Sequence, residues 1–223
     1  MGEVKETETY RERIARRAAR EIEDGMIINL GIGIPTLVAD FIPPDVRVML
    51  HAENGILGTG PSPQKGEENP MLCNAGGFPV TLETGASFFD SATAFAIIRR
   101  GLLDMTILGV LEVSRGGDIA NWIVPGKRVP GMGGAMELAQ KAKKVMVVTT
   151  HLDKNGRSKI VRECSLPLTA RGVADWIITD MAVMQVMSDG LYLREVMYPY
   201  CVADVIGATE AELKVEGEVV VFR

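Results

Sequence analysis

Met26-Ile-Ile-Asn-Leu-Gly-Ile-Gly-Ile-Pro35 sets the fold class. Met26 to Leu30 is a short apolar run of strand character. It feeds the glycine turn Gly31-Ile-Gly33, and Pro35, with its fixed φ, suits the first turn of a helix that the spacing carries through Phe41. Strand, turn and helix in that order form the opening of an α/β unit. Upstream, Ile14, Ala15, Ala18, Ala19 and Ile22 recur at helical spacing within Tyr10 to Asp24, and Gly25 supplies the stop. Arg11, Arg13, Arg16, Arg17 and Arg20 on this helix alternate with Glu12, Glu21 and Glu23, the pattern of a solvated, salt-bridged face. Downstream, a second strand at Val46 to Leu50 runs into His51-Ala-Glu53-Asn54-Gly55, which places a carboxylate at a strand end.

The segment from 59 to 86 is rich in Gly and Pro and shows little periodicity, as functional loops do. A helix is expected over Ser87 to Arg100 and a buried strand over Met105 to Val110. After an irregular stretch at 114 to 134 come a short helix, Ala135 to Lys143, and a strand, Val145 to Thr150. Asn155-Gly156 reads as a two-residue hairpin turn between runs ending at His151 and starting at Ser158. Further strands are expected at Trp176 to Thr179, Val183 to Met187 and Val219 to Phe222. No repeat or linker divides the chain, so residues 1–223 read as one α/β domain with a mixed sheet.

Composition narrows the function. The chain has 223 residues, 47% hydrophobic and 24% charged, and its 29 acidic against 24 basic residues argue against a nucleic-acid partner. No apolar run approaches the ~18 residues of a membrane span, and the N-terminus is charged with no apolar core of a secretion signal. Cys73, Cys164 and Cys201 are scattered, without a CxxC pair, and fit a reducing cytoplasm. There is no GxSxG, no Walker A loop and no HExxH, and Gly31-Ile-Gly33 lacks the third glycine of a dinucleotide fingerprint. His51-Ala-Glu53 is half of a zinc deaminase signature, but the PCxxC half is missing. Two histidines, His51 and His151, give little material for a triad or a metal cluster.

What remains is an acid at a strand end and two glycine loops, Gly31 to Ile34 and Gly131 to Gly134, able to present backbone N–H groups. Glutamate carboxylates are ionised at neutral pH, so one can attack an activated acyl group without a general base. Backbone donors at a glycine turn can hold the oxyanion. The pattern is coherent for acyl transfer without His or Cys.

Asn29-Leu-Gly-Ile-Gly-Ile-Pro35, Glu53-Asn-Gly-Ile-Leu-Gly58, Asn74-Ala-Gly-Gly77, Asp118-Ile-Ala-Asn-Trp122, Gly131-Met-Gly-Gly-Ala-Met136 and Cys164-Ser-Leu-Pro-Leu-Thr169 follow in this order. Together they resemble the family I coenzyme A transferases, specifically the B subunit of bacterial 3-oxoacid CoA-transferases, nearly end to end. The resemblance implies a largely parallel mixed sheet flanked by helices, with Glu53 as nucleophile and Asn54 orienting it. It implies an oxyanion donor from Gly133 and Gly134, and CoA held near Gly31, Gly33, Gly76 and Gly77. CoA would be substrate and transient covalent partner, with no permanent cofactor and no metal. The acids implied are acetoacetate with succinate, acetate or butyrate. A separate A subunit would complete an AB or A2B2 assembly. Ala52 departs from the family, which has Ser before the glutamate, and this leaves the substrate subgroup open. An acyl-CoA hydrolase of the same family, a silent assembly subunit, or a sugar-phosphate isomerase on a related fold are the competing readings.

Overall fold

The computed structural model describes residues 8–126 and 131–223. In chain order the elements are α1 (Tyr10–Ala19), β1 (Ile27–Leu30), α2 (Ile34–Leu37) continuing as a 3-10 turn (Val38–Phe41), β2 (Met49–Ala52), β3 (Ile56–Thr59), β4 (Leu82–Phe88) and α3 (Ser91–Arg99). Next come β5 (Met105–Gly109), β6 (Glu112–Ser114), β7 (Ile119–Ala120), α4 (Ala135–Lys141), β8 (Lys144–Val148) and β9 (Ile160–Val161). The chain closes with β10 (Trp176–Ile178), β11 (Ala182–Met187), β12 (Gly190–Met197), α5 (Val202–Ala208) and β13 (Leu213–Phe222). Ten strands form one sheet in the order β13-β12-β11-β10-β8-β5-β1-β2-β3-β4, and β7-β6-β9 form a small second sheet.

The centre of the large sheet, β10-β8-β5-β1-β2, is parallel throughout. Its strands are buried on both faces, so they read as continuous apolar runs. In β8, Val145 and Val147 join the core under α3, α4 and α5, whereas Met146 and Val148 join the core under α1 and the 3-10 turn. Antiparallel pairs extend the sheet on either side, β2-β3-β4 at one edge and β10-β11-β12 toward the other. Among the described residues no helix is long and apolar enough to cross a membrane.

Several elements depart from their sequence reading, each for a local reason. The helix expected from Ser87 begins at Ser91, because Asp90 caps it through the Thr93 N–H at 2.7 Å, while Ser87 and Phe88 pair with Leu57 and Ile56 in β4. The turn at Asn155-Gly156 is a longer loop. Asp153 exchanges backbone bonds with Arg157 and Gly156, and its carboxylate also accepts from the Asn155 and Arg157 N–H groups. The final strand starts at Leu213 and not at Val219.

The α1 face is not uniformly solvated. Thr9 and Glu12 close a capping box at its start, but Arg17 is buried and makes a two-pronged contact with Glu195 of β12 at 2.6 and 2.7 Å, plus a 2.9 Å bond to Glu21. A guanidinium suits this position because its planar fork matches a carboxylate. The pair ties α1 to the far half of the sheet. His151, fully buried at the end of β8, bridges Thr179 (3.0 Å) and Thr209 (2.9 Å), and so links the β10 end to the end of α5. Burial pushes its pKa down to about 4, outweighing the opposing pull of Asp180.

Replacing Arg17 by Ala strands two half-buried carboxylates without their cation. We expect a loss of about 3 kcal/mol in urea unfolding, larger than for Arg11→Ala on the exposed side of the helix. His151 generates a pH prediction. Its folded pKa lies below the unfolded value of 6.5, so the unfolded chain takes up its proton first as pH falls. Its contribution to stability is complete above about pH 6.5 and declines between pH 6.5 and 4, by about 3 kcal/mol in all. Unfolding free energies measured across that window should show this slope, and His151→Gln should flatten it.

Candidate active site

The central strands set the site. From β1 the chain moves to β2 on one side, and after β4 it crosses back through α3 to β5 on the other side of β1, so a crevice opens beyond the carboxyl ends of these strands. Glu53 stands there, one residue past β2, at the start of the tight turn into β3. Gly55 makes that turn possible. It sits at φ 117°, and a Cβ there would lie 2.1 Å from the Phe89 carbonyl oxygen, so no other residue fits. The Gly55 N–H donates to the Ala52 carbonyl at 3.0 Å and closes the loop.

The Glu53 carboxylate is held by Asn29 and not by Asn54. Parallel pairing places Asn29 of β1 opposite His51 of β2 and Thr106 of β5. The Asn29 Nδ2 donates to the His51 carbonyl at 3.0 Å and to Glu53 Oε2 at 3.1 Å, and its Oδ1 accepts from the Thr106 hydroxyl at 3.4 Å. The amide orientation follows from its partners, since a carbonyl and a carboxylate can only accept. Asn29 is 1% exposed, so its rotamer is fixed by packing as well. The Asn54 side chain, expected to orient Glu53, donates to the Cys73 carbonyl in the 59–86 segment at 2.8 Å. Asn29 stood inside the quoted Asn29–Pro35 motif, yet nothing in the sequence signals a contact between residues 29 and 53, which only the β1–β2 register creates.

His51 is buried two residues before Glu53, its ring stacked on Phe89 with centroids 6.2 Å apart. Neither ring nitrogen bonds a described residue. Burial pushes its pKa down, against the pull of the Glu53 carboxylate, and the imidazole is neutral at neutral pH.

None of the six glycines expected at the site lines the cleft around Glu53 itself. Gly31 gives its N–H to the Ile107 carbonyl at 2.9 Å, and a Cβ there would press on the same oxygen at 3.1 Å. It is a packing glycine whose donor is already used. Gly33 caps α2 at φ 96° with open space around it. Gly76 lies against Ile32 and Phe78, so the Asn74–Phe78 turn rests on the Gly31–Gly33 turn. That turn is shaped by Asn74, whose Oδ1 accepts from the Gly76 and Phe78 N–H groups. Gly77 adopts φ 78° with nothing beside it. A cleft runs from Glu53 past Leu30, Thr36 and Asp40 to Pro61, Asn74 and Val80. Gly31, Gly33, Gly76 and Gly77 adjoin its lining residues Leu30, Asn74 and Ala75 in the chain without lining it, and Gly133 and Gly134 lie elsewhere in the chain; Gly134 caps α4 and packs on Phe95 of α3. Lys127 to Pro130, just before this glycine segment, lie outside the described residues. Among the described residues no group of three His, Cys, Asp or Glu side chains converges as a metal site would require.

Comparison with known proteins gives this geometry a context. A probable coenzyme A transferase subunit beta of Bacillus subtilis (strain 168) is 59% identical over 206 residues, covering 92% of this chain and 95% of the relative. A mitochondrial succinyl-CoA:3-ketoacid coenzyme A transferase 2A of Rattus norvegicus is 47% identical over 95% of this chain, which spans only 41% of that longer protein. Among solved structures, the thioester complex with CoA of an acyl-CoA transferase from E. coli O157:H7 superposes with a TM-score of 0.76. It shares 22% identity, covers 98% of this chain and 44% of its own, and so establishes the common fold. The family model described as Coenzyme A transferase matches residues 11–208, and the chain belongs to that family.

Proposed function

We propose that this chain is the B half of a CoA-transferase that moves CoA between an acyl-CoA such as succinyl-CoA and a 3-oxo acid such as acetoacetate, with Glu53 as the covalent carrier. The observation that carries the reading is the Asn29–Glu53 hydrogen bond, which fixes a carboxylate at the mouth of the sheet's central crevice. The rat relative, a succinyl-CoA:3-ketoacid coenzyme A transferase, supports the substrate class.

Glu53 attacks the thioester carbonyl of the acyl-CoA and expels CoA thiolate, leaving a mixed anhydride between the acyl group and Glu53. The thiolate then attacks the glutamyl carbonyl, releasing the first acid and leaving a glutamyl–CoA thioester. An acceptor acid runs the two steps in reverse, so the kinetics are ping-pong. A thiol titrates about 4 units above a glutamate, which makes the anhydride roughly 5 kcal/mol uphill. Contacts with the distal parts of CoA that strengthen toward the transition state offset this cost. Asn29 contributes orientation, holding one carboxylate oxygen so that the other faces the crevice.

Both covalent intermediates are open to water, so the complete enzyme has to close over the cleft. We assign that closure to an A subunit in an AB or A2B2 assembly. The oxyanion donor is assigned to the Gly133–Gly134 segment, brought to the site in the assembled enzyme. The three unpaired cysteines are in keeping with a reducing cytoplasm, where we place the protein. A family hydrolase would use the same nucleophile and differ only in admitting water as acceptor.

Incubating the assembled enzyme with acetoacetyl-CoA or succinyl-CoA and no acceptor acid, followed by peptide mass spectrometry, should place a CoA adduct on the peptide carrying Glu53. Glu53→Gln should abolish the adduct and transfer together. Consumption of acyl-CoA without an adduct would move hydrolysis ahead. Asn29→Ala should lower kcat by 10- to 100-fold, about what a misplaced nucleophile costs, with a smaller change in KM; an unchanged kcat would remove Asn29 from the mechanism.

A further inference from the structure

The cleft beside Glu53 is small, about 40 Å³, which is room for a few water molecules. It does not end blindly. Ala39, Leu50, Thr59, Gly60 and Pro61 line both this cleft and a groove of about 890 Å³ that continues toward the start of β2. Ile42, Pro43, Pro44, Val46, Val48 and Met49 make most of the groove wall apolar. At the junction Leu50, Thr59 and Gly60 are buried, so the passage is built into the sheet. Gly60 leaves no room for a side chain there. A Cβ would come within 2.5 Å of the Thr81 hydroxyl and 2.9 Å of the Glu83 carboxylate.

We propose that this groove holds the alkyl chain of the substrate acid, so that the 3-oxo acid of this transferase is longer than the four carbons of acetoacetate. The inference rests on the functional reading above and names its substrate class. Attack by Glu53 divides an acyl-CoA at the thioester carbonyl, with the acyl chain on one side and CoA on the other. The groove suits the first and not the second. Its apolar wall offers few partners to the amides of a pantetheine arm, which would be costly to bury unpaired. Asp40 and Glu83 set two carboxylates along the route against one cation among the described residues, Arg47, a balance that disfavours phosphates. A methylene chain needs no partner and gains from leaving water. Length decides entry. Leu50 stands three residues before Glu53, about 10 Å back along the strand, farther than acetoacetate extends. An acid with a longer tail passes Leu50 and Thr59 and meets the valines beyond them.

The test uses the enzyme assembled from this chain and its A subunit, with straight-chain 3-oxoacyl-CoA donors of four to twelve carbons and succinate as the common acceptor. Once the chain enters the groove, kcat/KM should rise about fourfold per methylene, mostly through KM, and the ten-carbon donor should exceed acetoacetyl-CoA at least tenfold. Val46→Trp and Val48→Trp fill the groove away from Glu53, at partly exposed positions. Each should cut the ratio of ten-carbon to four-carbon kcat/KM at least tenfold. A wild-type series that is flat or falls from four carbons upward overturns the assignment without reference to either variant, and so does a ratio that both tryptophans leave unchanged. Adducts separate the two readings. A CoA adduct on Glu53 from acetoacetyl-CoA together with a flat series leaves the chemistry standing without the groove, whereas no adduct at any chain length sinks the chemistry and the groove with it.

Discussion

The Asn29 side chain joins the centre of the sheet to the Glu53 carboxylate, and most of the candidate site depends on it. Its amide spans three adjacent parallel strands, accepting from Thr106 on β5, donating to the His51 carbonyl on β2 and donating again to Glu53. A shift of one residue in the β1–β2 register would turn Asn29 to the opposite face and put Ile28 in its place. That register is fixed by the two cores. Ile28 packs with Leu50, Met105 and Ile107 under α1, and slippage would expose all four to the wrong layer. The apolar packing under α1 is therefore what aims a polar group on the other side of the sheet.

What the sequence made legible was local. The strand, turn and helix of residues 26–41 are where the apolar run, the glycines and Pro35 put them, because each signal acts within a few residues. The position of Glu53, directly after an apolar strand, was legible for the same reason. What the sequence left hidden were contacts across distance. Asn54 adjoins Glu53 in the chain, yet its side chain bonds Cys73 across the tight turn at Gly55. Arg17 looks like its four arginine neighbours in sequence, and only the return of β12 with Glu195 makes it a buried anchor. The edge strands β4 and β13 were missed in whole or in part. Their residues are mostly exposed, and they lack the apolar alternation that a strand with one buried face displays.

The electrostatics of the site explain why its ligands to Glu53 are neutral. A carboxylate nucleophile must keep its electron density available, and a guanidinium or ammonium beside it would form a stronger, charge-assisted bond and hold it in the ground state. Among the described residues no cation lies within ion-pair distance of Glu53. The nearby imidazole is kept uncharged by its own burial against Phe89. A neutral amide is what this structure uses: one hydrogen bond of 3.1 Å, which positions the carboxylate without the charge-assisted bond a cation would make. The fold accommodates that arrangement because β1, buried on both faces, can carry one polar residue if every atom of its amide is paired. Thr106, the His51 carbonyl and Glu53 supply those partners. Removing any one of them leaves a buried polar group unpaired, so orientation of the nucleophile and integrity of the central sheet are coupled at a single side chain.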